Sequence, residues 1–278
     1  HIRFVDDESF ASIVDAIERF VIRTFGVSGA RRDYKRNDLE SLARVLFWKG
    51  RDDLMDVFPE GSSIPESIEK DAGEYNINGS ESDADSIVSH LKRWGHTYSH
   101  ETEDREEVDL FERRLAEDNL DGLAVAGWGG LTSSELKNYM LYQYEKEIRR
   151  GGADLPKYLD AGIYDYTVEH VWPDSRPDGE VVPELDEDEY ARYVDRIGNL
   201  AFLSLSENSN HNYEKKWEST YSDARDGTTM ISKEFPDPNG ETSNLAAEEG
   251  FESWNTEVIE WRSKRMAKTL AKHWSCKD

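Results

Sequence analysis

Three observations on the 278-residue sequence predict an α+β fold that is mostly helical. Long segments before residue 150 carry apolar residues at helical spacing. Two short β-branched and aromatic runs follow, at 167–172 and 199–205. A last periodic segment then closes the chain. The change of pattern divides the chain into a helical region, 1–150, and a second domain, 151–278, which holds the motifs that carry chemistry.

Residues 8–25 place Ile13, Ile17, Phe20 and Val21 at helical spacing, with Phe25 beyond and Asp7 and Ser9 available as caps. Arg31-Arg32-Asp33-Tyr34-Lys35-Arg36 reads as a basic loop. A second helix is expected from Asp38 to Lys49, with Leu39, Leu42, Ala43 and Leu46 inward. Residues 50–82 are mixed, broken by Pro59, Gly61 and Pro65, and the acidic stretch from Gly73 to Asp83 reads as loop. Further helices are expected from Ser86 to Trp94, from Arg105 to Glu117 and from Ser133 to Arg149. The last buries Leu136, Met140, Leu141 and Tyr144, and Gly151-Gly152 ends it. The pair His96 and His100 lies four apart with Glu101 and Glu103 beside it. That spacing admits a metal, but the plainer reading, a solvated helix end near a polar loop, is the expectation.

From residue 165 the pattern changes. Thr167 to Trp172 reads as a strand stopped by Pro173, and residues 174–185 as a loop rich in Pro, Gly and acids. Glu187 to Ile197 is a short helix and Asn199 to Leu205 the partner strand. Asn208 to Tyr221 is a helix with Tyr213, Trp217 and Tyr221 four apart. Residues 222–250 show no clear period. The final helix, from about Glu252 to Trp274, carries Trp254, Val258, Trp261, Met266 and Leu270.

Composition sets the bounds. A hydrophobic content of 37% and eight Trp indicate a folded globular protein. The 59 Asp and Glu outnumber 34 Lys and Arg, leaving a net charge of −25 that is spread along the chain as a solvated acidic surface. With 14 lysines against 20 arginines, this balance reads as that of a protein from a high-salt cytoplasm, with an acidic mesophile protein as the other reading. Cys276 is the sole cysteine, which excludes an internal disulfide and a multi-cysteine zinc site. No stretch approaches 18 consecutive apolar residues and no leader pattern opens the chain, so a soluble, cytoplasmic protein is expected. His1 in place of Met suggests that the chain begins partway through a longer gene product or follows a removed tag.

Three pieces of the second domain belong together: Tyr166-Thr167-Val168-Glu169-His170-Val171-Trp172-Pro173, then Gly198-Asn199-Leu200-Ala201-Phe202-Leu203-Ser204-Leu205, then Asn208 to Trp217. Hydrolysis of a phosphodiester needs a base for water, a cation to neutralise the phosphorane and geometry for in-line attack. His170 can be the base, since neutral imidazole is available near pH 7. Glu169 offers a hard oxygen to Mg²⁺ (or Mn²⁺), and Asn208 a carbonyl oxygen from the start of the next helix. Alternation along a strand points Glu169 and His170 to opposite sides, so a bend or bulge near Pro173 is expected. By themselves, Glu169 and His170 also read as a polar pair at a strand end.

Glu-His-Val-Trp-Pro, then Gly-Asn-Leu-x-x-Leu, then an Asn nine residues after the first, then aromatic-x-Lys-Lys, resembles the DUF1524 branch of the HNH (ββα-metal) endonucleases. The resemblance implies a ββα-metal nuclease core flanked by helices, with His170 as general base and Glu169 and Asn208 as metal ligands. It also implies that Asn199 braces the loop orienting His170 and that Lys216, or Lys215, binds phosphate. Asn210, His211 and Asn212 compete with Asn208 for the ligand role. Trp254 through Arg262 is similar to the terminal helix of that family. Tyr139-Met140-Leu141 and Glu18-Arg19-Phe20-Val21-Ile22-Arg23 look like the helical connector of DUF262–DUF1524 proteins. Those include GmrSD-type modification-dependent restriction enzymes and the nicking effectors of phosphorothioate-sensing defence systems. The DUF262 nucleotide-hydrolysing signature is missing from this chain, so the resemblance implies a C-terminal piece whose N-terminal DUF262 domain lies elsewhere in the full-length protein.

The expected function is therefore a metal-dependent DNA endonuclease or nickase module of an anti-phage restriction system. The alternatives are a non-catalytic DNA-binding or interaction module on the same fold and, third, an RNase or toxin-like nuclease. At −25, phosphate contacts must come from local basic islands. The clearest runs through Arg262, Lys264, Arg265, Lys268, Lys272 and Lys277, with no acid between Trp261 and Lys277. These cations either hold DNA phosphates or pair with acidic faces of the protein.

Overall fold

The first expected helix forms as α1 (Asp7–Val21), which buries Ala16 and Phe20 and passes into a π-helical turn, Ile22–Val27. A computed structural model of the chain describes residues 7–27, 34–49, 66–77, 83–103, 106–118, 133–149, 166–172, 185–204, 229–236 and 245–276. They fall into two compact units: His1–Glu107 with Trp274–Asp278, and Val108–His273. The mostly helical α+β character expected from sequence is what the described residues show.

In the first unit, α1 is followed by α2 (Arg36–Lys49), α3 (Glu66–Tyr75), α4 (Asp83–Ser99) and β1 (His100–Glu103); the strand paired with β1, β2 (Glu106–Asp109), contributes its first two residues to this unit and its last two to the second. α3 departs from the expectation, because its first residues lie in the mixed stretch and its last in the expected loop. Ile68, Ala72 and Tyr75 recur at i, i+4 and i+7, and burial of that stripe outweighs Gly73 inside the helix. Asn76, at φ 55°, closes α3. The Ile77 amide donates to the Ala72 carbonyl at 2.9 Å and the Asn76 amide to Gly73 at 3.3 Å, satisfying two end carbonyls. The core joins Phe20 with Leu42, Val45, Ile68, Tyr75, Ile87, Leu91 and Trp94. Each such side chain, fully buried, contributes roughly 1.5–3 kcal/mol. Lys35 and Arg36 of the basic loop pair with Asp38 (3.5 Å) and Glu40 (2.8 Å), whereas residues 31–33 lie outside the described residues.

The helix expected from Arg105 starts later than the spacing suggested. Asp109 ends β2 and accepts from the Phe111 and Glu112 amides at 3.0 and 3.2 Å, so α5 runs over Leu110–Glu117. α5 opens the second unit, followed by α6 (Ser133–Ile148), β3 (Tyr166–His170), α7 (Glu187–Val194) and β4 (Leu200–Ser204). A short 3₁₀ turn (Ile231–Glu234), α8 (Leu245–Glu248) and α9 (Thr256–His273) complete it. The contact boundary thus lies at Glu107/Val108, with α6 in the second unit rather than with the N-terminal helices.

β3 and β4 pair antiparallel in unbroken register, from Tyr166 opposite Ser204 to His170 opposite Leu200. Leu200 to Leu203 are buried, while all of β3 is half-buried. α7 begins with a capping box: Asp186 accepts from the Glu189 amide at 2.8 Å, and Glu189 from the Asp186 amide at 3.1 Å. The helix expected at 208–221 lies outside the described residues. Among the described residues no helix is long and apolar enough to cross a membrane.

Candidate active site at His170

His170 is the last residue of β3, and its register partner Leu200 is the first of β4. α7 stops at Val194, so Asp195 becomes its C-cap and faces the histidine. Asp195 Oδ1 lies 3.0 Å from His170 Nε2 and 3.3 Å from Lys137 Nζ. The three side chains are 16–17% (Asp195, His170) and 8% (Lys137) exposed, so the cluster sits at a shielded edge that solvent still reaches.

The chemistry of the trio follows from what each atom can do. A carboxylate only accepts, so Nε2 carries the proton in the bond to Asp195, and the lone pair of the neutral ring falls on Nδ1. Lys137 Nζ approaches Nε2 to 3.4 Å, but two protonated nitrogens make no hydrogen bond; both donate to Asp195. Asp195 therefore orients the ring while Lys137 offsets its charge. This is the base-and-orienter arrangement of acid–base sites.

The neighbouring loop is fastened through Asn199, the last residue of a 3₁₀ turn (Ile197–Asn199), which is fully buried. Its Oδ1 accepts from the Trp172 amide at 3.0 Å, and its Nδ2 donates to the carbonyls of Trp172 (3.0 Å) and Val194 (2.7 Å). One side chain thereby ties the exit of β3 to the end of α7, the two segments that carry His170 and Asp195. Gly198 sits flat against α9: a Cβ there would lie 2.0 Å from the Ile259 carbonyl oxygen. Its amide donates to Ser263 Oγ at 3.1 Å.

The ladder continues through both Glu169 and His170, so the expected bulge near the strand end is not found within the paired residues. The two side chains stand on opposite faces of β3 by strand alternation. Asn208, Lys215 and Lys216, with Asn210, His211 and Asn212, lie outside the described residues.

The basic island of α9 divides by helix face. Lys264, Lys268 and Lys272 recur every four residues and are exposed. Arg265 is 39% exposed and pairs with Glu234 at 2.9 Å. Arg262 corrects its expected role as a DNA contact, because its side chain is completely buried. It occupies the inward stripe of Val258, Ile259, Met266 and Leu270. Its guanidinium donates to the Gly198 carbonyl and, at 3.1 Å, to that of Leu200. It also lies over the rings of Phe235 (4.4 Å) and Trp254 (5.3 Å). Burial lowers its pKa from the ordinary arginine range, with buried Glu234, 3.6 Å away, pulling the other way. Glu234 also accepts from the buried Tyr144 hydroxyl; burial first, then the Glu234 charge, raises that phenol well above its usual range.

Sequence reasoning missed Asp195, Lys137, Glu234 and Tyr144's polar role. For Lys137 a signal existed, since it lies four before Leu141 and seven before Tyr144, on the buried stripe of α6. Nothing local marks Asp195, whose partner is 25 residues away.

Residues 130–269 match the family model of the C-terminal domain of GmrSD restriction endonucleases. No curated protein and no solved structure matches the chain. The matched stretch takes in Lys137, His170, Asp195, Asn199, Glu234 and Arg262, together with the strands and helices that position them. Because that match spans half of the 278 residues, the chain belongs to the family of GmrSD restriction endonuclease C-terminal domains.

Proposed function

We propose that this chain is the metal-dependent DNA endonuclease or nickase module of an anti-phage restriction system, of the HNH (ββα-metal) type. Family membership gives the coarser part, a restriction endonuclease-type hydrolase acting on DNA. The finer reading rests on one observation: His170 at a strand end with its Nε2 held by Asp195 at 3.0 Å. In this reading Nδ1 of His170 takes a proton from the attacking water, and Asp195 stabilises the resulting imidazolium. Asn199 keeps the two segments in register so that the base does not drift from the phosphate.

Glu169 and Asn208 would hold Mg²⁺ or Mn²⁺, which requires Glu169, on the face of β3 opposite His170, to reach round the strand end. A carboxylate and an amide carbonyl are hard oxygen donors of the kind these ions take, with water and phosphate oxygens filling the remaining positions. When bound, the cation would supply charge neutralisation for the phosphoryl group under attack. Lys215 or Lys216 would bind phosphate, while Lys264, Lys268 and half-exposed Arg265 offer further backbone contacts. In the full-length protein an N-terminal DUF262 nucleotide-hydrolysing domain would be the partner.

The test is cleavage of plasmid DNA with Mg²⁺ or Mn²⁺ by wild type, His170→Ala and Asp195→Asn. Loss of the base should lower the rate by about 10²–10⁴ with circular dichroism unchanged. Asp195→Asn should fall within the same range. Undiminished cleavage by His170→Ala would end the catalytic reading and leave a non-catalytic DNA-binding module.

A further inference from the structure

Away from His170, α4 ends against β1 with two imidazoles stacked face to face. His96, in the last turn of α4, and His100, the first residue of β1, have ring centroids 4.0 Å apart and planes within 12° of parallel. Glu107 on β2 accepts through Oε1 from His96 Nε2 at 2.9 Å, and a cation bound there would displace the shared proton. One candidate ligand atom from each of the three lies within 4.8 Å of the other two. We propose that His96, His100 and Glu107 form a binding site for a first-row divalent transition cation of the zinc class, separate from the site at His170.

The donor set selects the ion. Two imidazole nitrogens with one carboxylate suit borderline ions such as Zn²⁺ and Co²⁺, whereas Mg²⁺ and Ca²⁺ prefer oxygen donors throughout. Three protein ligands leave a fourth tetrahedral position for water. Ligand atoms on a tetrahedral ion with bonds of ~2.1 Å stand roughly 3.4 Å apart, so the largest separation here must close by roughly 1.4 Å at most. Parallel stacked rings cannot both aim their in-plane lone pairs at one ion, so binding requires the partly exposed His96 ring to turn out of the stack toward His100 and Glu107. His96 is 32% and Glu107 43% exposed, which gives the ion a direct path from solvent.

The second layer is built for the same purpose. His100 Nδ1 lies 3.0 Å from the His96 carbonyl oxygen. A carbonyl has no proton to give, so Nδ1 is the donor and the lone pair of the neutral ring falls on Nε2. A ring held by its second nitrogen on a carbonyl is the usual state of a metal-binding histidine. Ser99 Oγ stands 3.2 Å from the same Nδ1 and itself accepts from the buried Arg23 Nε at 3.0 Å. His96 and His100 thus share one helix-to-strand junction, and Glu107 arrives from the adjoining strand, a convergence that the sequence neighbours Glu101 and Glu103 had obscured. The cluster lies outside residues 130–269 and within the first unit.

The experiment titrates the chelator-treated full chain with Co²⁺, reads the visible d–d absorption, and then displaces Co²⁺ with Zn²⁺. One equivalent should bind with imidazole coordination in wild type and equally in His170→Ala. His96→Ala and Glu107→Gln, at partly exposed positions, should keep their circular dichroism and lose affinity at least tenfold. Absence of the spectrum in wild type, a loss smaller than tenfold in both variants, or a loss confined to His170→Ala would each overturn the assignment.

Discussion

Replacing Arg262 separates two roles for the same cation. If Arg262 holds phosphates, Arg262→Met lowers DNA affinity and leaves stability alone. The structure requires the opposite. Methionine fills much of the same volume, but the carbonyls of Gly198 and Leu200 lose their donor, and Glu234 loses the guanidinium 3.6 Å from it. Removing one partner of a buried ion pair costs about 3–5 kcal/mol. Arg265 and Tyr144 still hold Glu234, which favours the lower end of that range. For a chain of this size each kcal/mol moves Tm by about 2–4 °C, so the transition should fall by roughly 6–20 °C. Thermal unfolding by circular dichroism, alongside gel retention of a DNA duplex below the transition, reads both quantities. A Tm within about 2 °C of wild type together with weakened DNA retention would refute the buried placement and return Arg262 to the surface.

Three further outcomes follow from the same geometry. Asn199→Ala removes the partners of the Trp172 amide and of the Trp172 and Val194 carbonyls; with each orphaned buried group costing about 1–3 kcal/mol, a loss of roughly 3 kcal/mol or more should appear in urea unfolding. Exchanging Lys264, Lys268 and Lys272 together for Gln should leave stability within about 0.5 kcal/mol, since all three are exposed. If each meets a phosphate, the log–log salt slope of DNA binding should become shallower by about 0.9 per lysine. Tyr144 gives a pH dependence of definite sign. Its folded pKa is raised by burial and by Glu234, so its contribution is full below the unfolded value of about 10 and declines as pH rises beyond it. Wild type should lose about 1.4 kcal/mol per pH unit above pH ~10 relative to Tyr144→Phe, measured by unfolding at pH 8 and 11.

Much of the fold was legible because its signals are local. α1, α2, α4, α6 and α9 announce themselves by apolar spacing, and the pairing of β3 with β4 by β-branched and aromatic runs. The misreadings have local causes as well. α3 was obscured by Gly73, and the start of α5 was placed too early because a capping Asp109 inside a charged run looks like any other acid. Glu169 and His170 could be singled out as an acid–histidine pair, and Asn199 through the family resemblance of its motif; Asn199 ties the strand exit to the end of α7.

The sequence by itself determined the succession of helices and strands, and that a histidine would stand at the end of β3. These depend on side chains a few positions apart, whose periodicity survives in one dimension. Only the tertiary structure decided the partners: Asp195 for His170, Glu234 for Arg262, Glu107 for His96. It also turned Arg262 inward while Lys264 and Lys268 stayed outside. A charge carries no mark of its destination in the sequence. Whether it meets water, DNA or a buried carboxylate depends on which helix face is covered, and packing alone sets that.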